Sequence, residues 1–171
     1  MGVHRFIKSF KYAFCGIGRC IREERNMRIH TAAAFYVLLF SPFFRFTRGE
    51  WGVLILTLSL VMAAECVNTA IERLCDRVGK EYSPLAKAAK DLAAGAVLLC
   101  ALGAAAVGVC LFWRPEVFLE IAAWFSARPP AIAALLLSAV CLGLYCVLGF
   151  PETRRKKDKP GGENPPPAGR G

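Results

Sequence analysis

The chain has 171 residues, of which 56% are hydrophobic and 20% charged, and its formal net charge is +9. That length holds one compact unit and leaves no room for a separate soluble domain. The apolar residues are gathered in runs, and no aromatic-basic platform accompanies the positive charge, so nucleic-acid binding is excluded and the charge reads as membrane topology.

Residues 3–28 are predicted to form one helix lying in the lipid interface. Phe6, Phe10, Phe14, Ile17 and Ile21 recur at helical spacing, with Lys8, Lys11, Arg19 and Arg22 largely on other sides. Gly16 and Gly18 are expected to kink this helix or admit close packing; without a preceding strand they make no phosphate loop, and no Walker or protein-kinase motif occurs. Four membrane spans are predicted after it, over 29–46, 51–70, 92–113 and 131–150. The last two carry no charge, whereas the first ends at Arg45 and relies on tilt or snorkelling. Residues 46–50 are expected to be a tight hairpin. Ser83-Pro84 is predicted to start the third span's helix, as N-cap and first-turn proline. Lys87, Lys90 and Asp91 occupy the first turns of that helix before it sinks into lipid at Leu92, and Gly95, Gly103 and Gly108 thin its surface for close helix approach. A connector with an interfacial Trp124-Phe125 leads to the fourth span, and a basic, Pro/Gly-rich tail is expected to be disordered. The chain thus divides into a core over 1–114, a connector with an extra span over 115–150, and a tail over 151–171.

Basic residues crowd 1–29, 72–91 and the tail, against only Arg45, Arg48, Arg114 and Arg128 elsewhere. Four spans with both termini in the cytoplasm satisfy the positive-inside rule. No apolar core of a cleavable secretory signal precedes Ile29. The cysteines are scattered with no Cys-x-x-Cys pair, which suits packing rather than zinc or disulfides.

The second span breaks its own pattern. Glu65, Asn68, Glu72 and Asp76 follow an apolar run at steps of three and four, which stacks them on one helical stripe. An ionisable group at membrane depth costs roughly 2.5–3.5 kcal/mol on insertion scales, so it faces protein or water and marks a functional site. On the four-span topology this stripe meets Lys87, Lys90 and Asp91, together with Glu23 and Glu24. Such carboxylates can share Mg²⁺, a lysine can neutralise phosphoryl oxygens, and a half-buried carboxylate can take a proton from an alcohol. Blander readings stand beside this one. Glu72 and Asp76 can pair with Arg73, Arg77 or Lys80, Lys87 with Asp91, and Glu23 and Glu24 with Arg19, Arg22 or Arg28. His30 reads as an interface residue rather than a ligand. A membrane scaffold or small channel with an acidic ion site is the alternative from another class.

The stretches Glu23-Glu24-Arg25-Asn26-Met27-Arg28-Ile29-His30, Glu65-Cys66-Val67-Asn68-Thr69-Ala70-Ile71-Glu72 with Asp76, and Ala89-Lys90-Asp91-Leu92 resemble the prokaryotic diacylglycerol kinase/undecaprenol kinase family in order, spacing and helix context. The resemblance implies an all-α integral membrane lipid kinase with an N-terminal interfacial amphipathic helix and three core transmembrane helices, here with a fourth. It implies a homotrimer in the bacterial inner membrane, with active sites between subunits at the cytoplasmic face. It also implies a membrane lipid alcohol and ATP as substrates, with Mg²⁺ as cofactor. Glu65 matches the family's catalytic base, and Glu24 and Glu72 the carboxylates that hold the metal. Asn68 matches a phosphate-site residue and Lys90 the lysine on the transferring phosphate. Tyr12, Asp76, Tyr82 and Asp91 match positions near the nucleotide, with Arg5 at the outer edge. The first stretch looks more like the undecaprenol kinases of Gram-positive bacteria, which favours undecaprenol, with diacylglycerol the runner-up.

Overall fold

The structure, a computed structural model, describes residues 3–78 and 83–149. Those residues form six helices and a short 3₁₀ turn: α1 Val3–Glu23, α2 Arg25–Phe40, the turn Ser41–Phe44, α3 Arg48–Val78, α4 Pro84–Phe112, α5 Pro115–Ser126 and α6 Pro129–Leu148. By length and composition, four of the helical segments (Arg25–Phe44, Arg48–Arg77, Pro84–Phe112 and Pro129–Leu148) are able to cross a bilayer, and the chain is an all-α membrane protein. The fourth expected span is therefore present as a helix. The tail lies outside the described residues.

Where one helix was expected over 3–28 there are two. Glu24 takes an extended conformation, φ −101° and ψ 123°, which ends α1 and makes Glu24 the N-cap of α2. Glu24 N–H makes the last bond of α1, to Cys20 O at 2.9 Å, and Arg28 N–H makes the first of α2, to Glu24 O at 3.2 Å. Arg28 also closes the end of α1 with its side chain, donating from Nη1 to Arg22 O at 2.9 Å. A helix end needs such donors for its last carbonyls. The break lets an amphipathic helix turn away from one that enters lipid. Phe6, Phe10 and Phe14 remain exposed on α1, as an interfacial face requires. Gly16 and Gly18 neither kink α1 nor receive a close neighbour, since a Cβ at either would meet nothing within 4 Å.

The hairpin between α2 and α3 is built by local chemistry. Pro42 has no N–H to continue α2, and the chain tightens into the 3₁₀ turn before Arg45 adopts φ 49°. Thr47 and Glu50 then exchange hydrogen bonds: Glu50 Oε2 accepts from Thr47 N–H at 2.7 Å, and Thr47 Oγ1 accepts from Glu50 N–H at 3.3 Å. This reciprocal capping box starts α3 three residues before the predicted span. Ser83 caps α4 as expected, its hydroxyl accepting from Ala86 N–H. With 31 and 29 residues, α3 and α4 are about 46 and 44 Å long, against a hydrocarbon core of about 30 Å. Both helices therefore carry several turns beyond lipid.

Packing is concentrated at the hairpin end, where Phe44, Phe46, Leu54, Leu111 and Val117 form a buried cluster. Arg114 locks it by donating to Phe44 O at 2.9 Å and pairing with Glu50 at 2.6 Å. The expected connector contains α5, packed on the 3₁₀ turn through Phe44 and Phe118. From it α6 returns along α2, joined by Tyr36 Oη and Ser138 Oγ at 3.1 Å, until Gly149 lies against the Arg28 guanidinium. The end of α6 and the α1–α2 break are thus on the same side of the bundle, as four crossings demand. No residue of α6 is buried, which suits a helix surrounded by lipid. The glycines of α4 also meet nothing within 4 Å, so within this chain no helix uses the thin surface they provide.

Candidate active site

Glu65 lies about 26 Å along α3 from Arg48, a distance comparable to a hydrocarbon core of about 30 Å. It is 1% exposed. Its Oε1 makes no hydrogen bond. His30 of α2 comes within 3.3 Å of that oxygen through Nε2, a close polar contact without hydrogen-bond alignment. The charges of Glu24 and Glu72 both reach Glu65, so three carboxylates from α3 and the α1–α2 break share one neighbourhood.

Three residues further along α3, Asn68 is buried and donates from Nδ2 to Glu72 Oε1 at 3.0 Å. This bond orients the Glu72 carboxylate and leaves Asn68 Oδ1 buried without a partner. Arg73 then reaches across to the α1–α2 break, meeting Glu23 Oε2 at 2.5 Å and Glu24 Oε1 at 3.5 Å. Asp76 pairs with Lys90 and so ties α3 to α4. At 1.5 Å per residue, Glu72 stands about 10 Å above Glu65 and Asp76 about 6 Å higher. The stripe is a ladder from lipid depth outward, with a buried carboxylate at the bottom and a lysine near the top.

Below the ladder an apolar cavity of about 170 Å³ opens at His30 and runs between α2, α3 and α4 to Phe112. Ala33, Val37, Leu54, Val61 and Gly108 are among its walls. Its other polar residue, Thr57, has turned its hydroxyl to Val53 O at 2.7 Å. A greasy chain can enter this space with its polar end at Glu65.

The structure therefore gathers Glu24, Glu65, Asn68 and Glu72, with Asp76 and Lys90 on the rim. Lys90 is engaged with Asp76 and stands within reach of Glu72's charge. Tyr12 and Asp91 are exposed, and among the described residues no contact joins them to the cluster. Tyr82 and the side chain of Arg5 lie outside the described residues. His30, read as an interface residue rather than a ligand, faces Glu65, the most buried carboxylate among the described residues. Arg73, weighed as a partner for Glu72 or Asp76, turns to Glu23 and Glu24 instead. Among the described residues, no three His, Cys, Asp or Glu side chains form a ready-made metal cage. Glu24 and Glu72 nevertheless suit Mg²⁺, which takes one or two protein carboxylates and completes its shell with water and substrate phosphates. The orphaned Asn68 Oδ1 beside them is a further oxygen that a hydrated cation can satisfy.

The profile of the prokaryotic diacylglycerol kinase family matches residues 11–112, which runs from α1 to the end of α4. A Synechocystis diacylglycerol kinase is 43% identical over 114 residues, 66% of this chain and 65% of that protein, so just under two thirds of that relative is spanned. The Bacillus subtilis undecaprenol kinase is 40% identical over 110 residues, 64% of this chain and 89% of its own. An Escherichia coli diacylglycerol kinase is 30% identical over 112 residues, covering 66% and 92%.

Proposed function

This chain belongs to the prokaryotic diacylglycerol kinase family, membrane lipid kinases that use ATP, and within it we propose that this protein phosphorylates the hydroxyl of undecaprenol. The cavity carries the choice of substrate. Beneath Glu65 its wall is apolar, and apart from His30 its one polar side chain is already bonded to backbone. A polyprenyl chain asks nothing more of such a wall, whereas the ester carbonyls of a diacylglycerol would lie unsatisfied in it. The stretch ending in His30 supports the same choice. Diacylglycerol remains the second reading, favoured by the 43% identity to the Synechocystis enzyme.

The lipid hydroxyl lies at Glu65, where Oε1 is an acceptor without a donor. As the hydroxyl oxygen bonds to the γ-phosphorus of ATP, the bond to the bridging oxygen breaks and ADP leaves. Glu65 takes the hydroxyl proton, and His30 beside it holds the carboxylate in place. Mg²⁺ held by Glu24 and Glu72 supplies charge neutralisation along the phosphates when bound. Asn68 keeps Glu72 oriented and turns its free carbonyl oxygen to the same space. Lys90, on the rim with Asp76, contacts the transferred phosphoryl group; the family resemblance assigns Asp91, Tyr12 and Tyr82 to the nucleotide, with Arg5 at the outer edge. Catalysis of this kind is mostly positioning and preorganised charge. The reading extends to a homotrimer in the inner membrane, with nucleotide arriving from the cytoplasm, a kinase core over 1–114 and an appended helix over 115–150.

Phosphate transfer from labelled ATP tests it, with undecaprenol and diacylglycerol offered side by side in detergent micelles with Mg²⁺. Preferential labelling of undecaprenol is expected. Preference for diacylglycerol overturns the substrate assignment and leaves the kinase chemistry standing.

A further inference from the structure

The appended helix α6 lies outside the part of the chain that matches the family, yet its end reaches the α1–α2 break. Gly149 caps α6 with φ 68° and ψ −167°, a backbone conformation open essentially to glycine alone. A Cβ at that position would stand 3.2 Å from Cζ of Arg28 and 3.3 Å from its Nη1. One turn back, Cys146 Sγ donates to Arg28 O at 3.6 Å, and Tyr145 stands beside the same guanidinium.

Arg28 is a costly residue to keep there. It is 8% exposed, its Nε has no partner, and its Nη1 is spent on Arg22 O at the end of α1. A buried guanidinium is stabilised by acceptors and negative ends of dipoles, and the C-terminus of α6 supplies the latter. It joins the end of α1 to the break itself: its side chain holds Arg22 O, and its own N–H, the first bond of α2, holds Glu24 O. Whatever fixes Arg28 therefore fixes the direction in which α1 leaves α2, and with it Glu24.

We propose that the end of α6, through Gly149 and Cys146, is a clamp on Arg28 that positions Glu24 for the metal-bound nucleotide. Arg28 and Gly149 act as positioning residues: neither touches the reacting atoms. The link to nucleotide rests on the role proposed for Glu24, whereas the clamp itself does not. This gives the extra helix a task inside its own subunit.

The experiment is Gly149→Ala in the full chain, read by steady-state kinetics and by hydrogen–deuterium exchange of the peptide over residues 20–28. The added methyl and the strain of a side chain at φ 68° press the guanidinium aside by a few tenths of an ångström, and weakening one charged hydrogen bond at the break should raise KM for Mg·ATP up to about tenfold while kcat stays within about twofold. Exchange over 20–28 should accelerate, with exchange in the α3–α4 hairpin end unchanged. Arg28→Lys provides a second route that leaves α6 untouched; it keeps the charge and removes the planar fork, and the same two shifts are expected. Unchanged exchange over 20–28 in folded protein for either variant overturns the clamp. Faster exchange with an unchanged KM upholds the clamp and removes Glu24 from the nucleotide site.

Discussion

Replacing Glu65 with Gln tests the mechanism at its centre. The two side chains have the same shape, and Glu65 is 1% exposed with Oε1 lacking a hydrogen-bond partner. The change gives up the contact with His30 but also removes a buried carboxylate that faces the charges of Glu24 and Glu72, so its cost to the fold is small. Thermal stability in detergent should therefore hold. Glutamine cannot take the hydroxyl proton, and a positioned general base contributes about 10²–10⁴ in rate, or roughly 3–5 kcal/mol of barrier. Affinity for Mg·ATP should be preserved, because Glu24 and Glu72 remain. The assay is single-turnover transfer from labelled ATP to undecaprenol, run beside a thermal shift with and without Mg·ATP. A variant that is folded, binds Mg·ATP and turns over within about tenfold of the natural chain would falsify the role of Glu65 as base.

Other perturbations separate the parts of the site. Gly108→Leu fills the cavity from a position where a Cβ meets nothing within 4 Å; KM for the lipid should rise about tenfold, with KM for ATP unmoved, in the same transfer assay. Asp76→Asn frees Lys90 from its ion pair. Because that pair is solvent-facing, stability should change by less than about 1 kcal/mol, and a titration of ATP should show a shift in apparent affinity without loss of fold. Thr47→Ala removes the capping box at the start of α3; it should cost about 1 kcal/mol in a denaturation experiment and leave kcat untouched, since it acts at the opposite end of the bundle.

The parts of the site that could be read from sequence are those carried by one helix. Glu65, Asn68, Glu72 and Asp76 share α3, and the rise and twist of a helix are enough to stack them. Their partners from other elements were less legible, because long side chains choose among several neighbours at similar distance. Arg73 illustrates this: helical spacing offered it Glu72 and Asp76, and the fold gave it Glu23 and Glu24. The break at Glu24 was hidden for a related reason. Residues 20–30 contain no proline or glycine to signal an interruption, and what ends α1 there is accompanied by a contact from Arg28, whose own surroundings include residues more than a hundred positions away. Helix starts with local chemistry were easier: the Ser83-Pro84 cap needed no tertiary information. The α5 helix, read as a connector, was obscured by its composition, since its pattern suits an interfacial stretch equally well.

The depth of Glu65 links the sequence to the substrate. A soluble kinase brings its acceptor hydroxyl out of water to the phosphates. Here the acceptor is anchored by its tail, and the hydroxyl can reach only as far as the tail allows. On the proposed reading the catalytic carboxylate, Glu65, descends to the lipid and the phosphates are held just above it. A helix about 46 Å long in a layer of about 30 Å does both with one stripe, since its charged residues continue past the apolar run. The arrangement has a cost, because a carboxylate at that depth needs cover from water and from lipid. His30 from α2 and the α1–α2 break provide that cover. If Glu24 and Glu72 hold the same phosphate as proposed, any device that sets the angle of the break also sets how closely they approach it, and a helix added far along the chain matters to chemistry it does not touch.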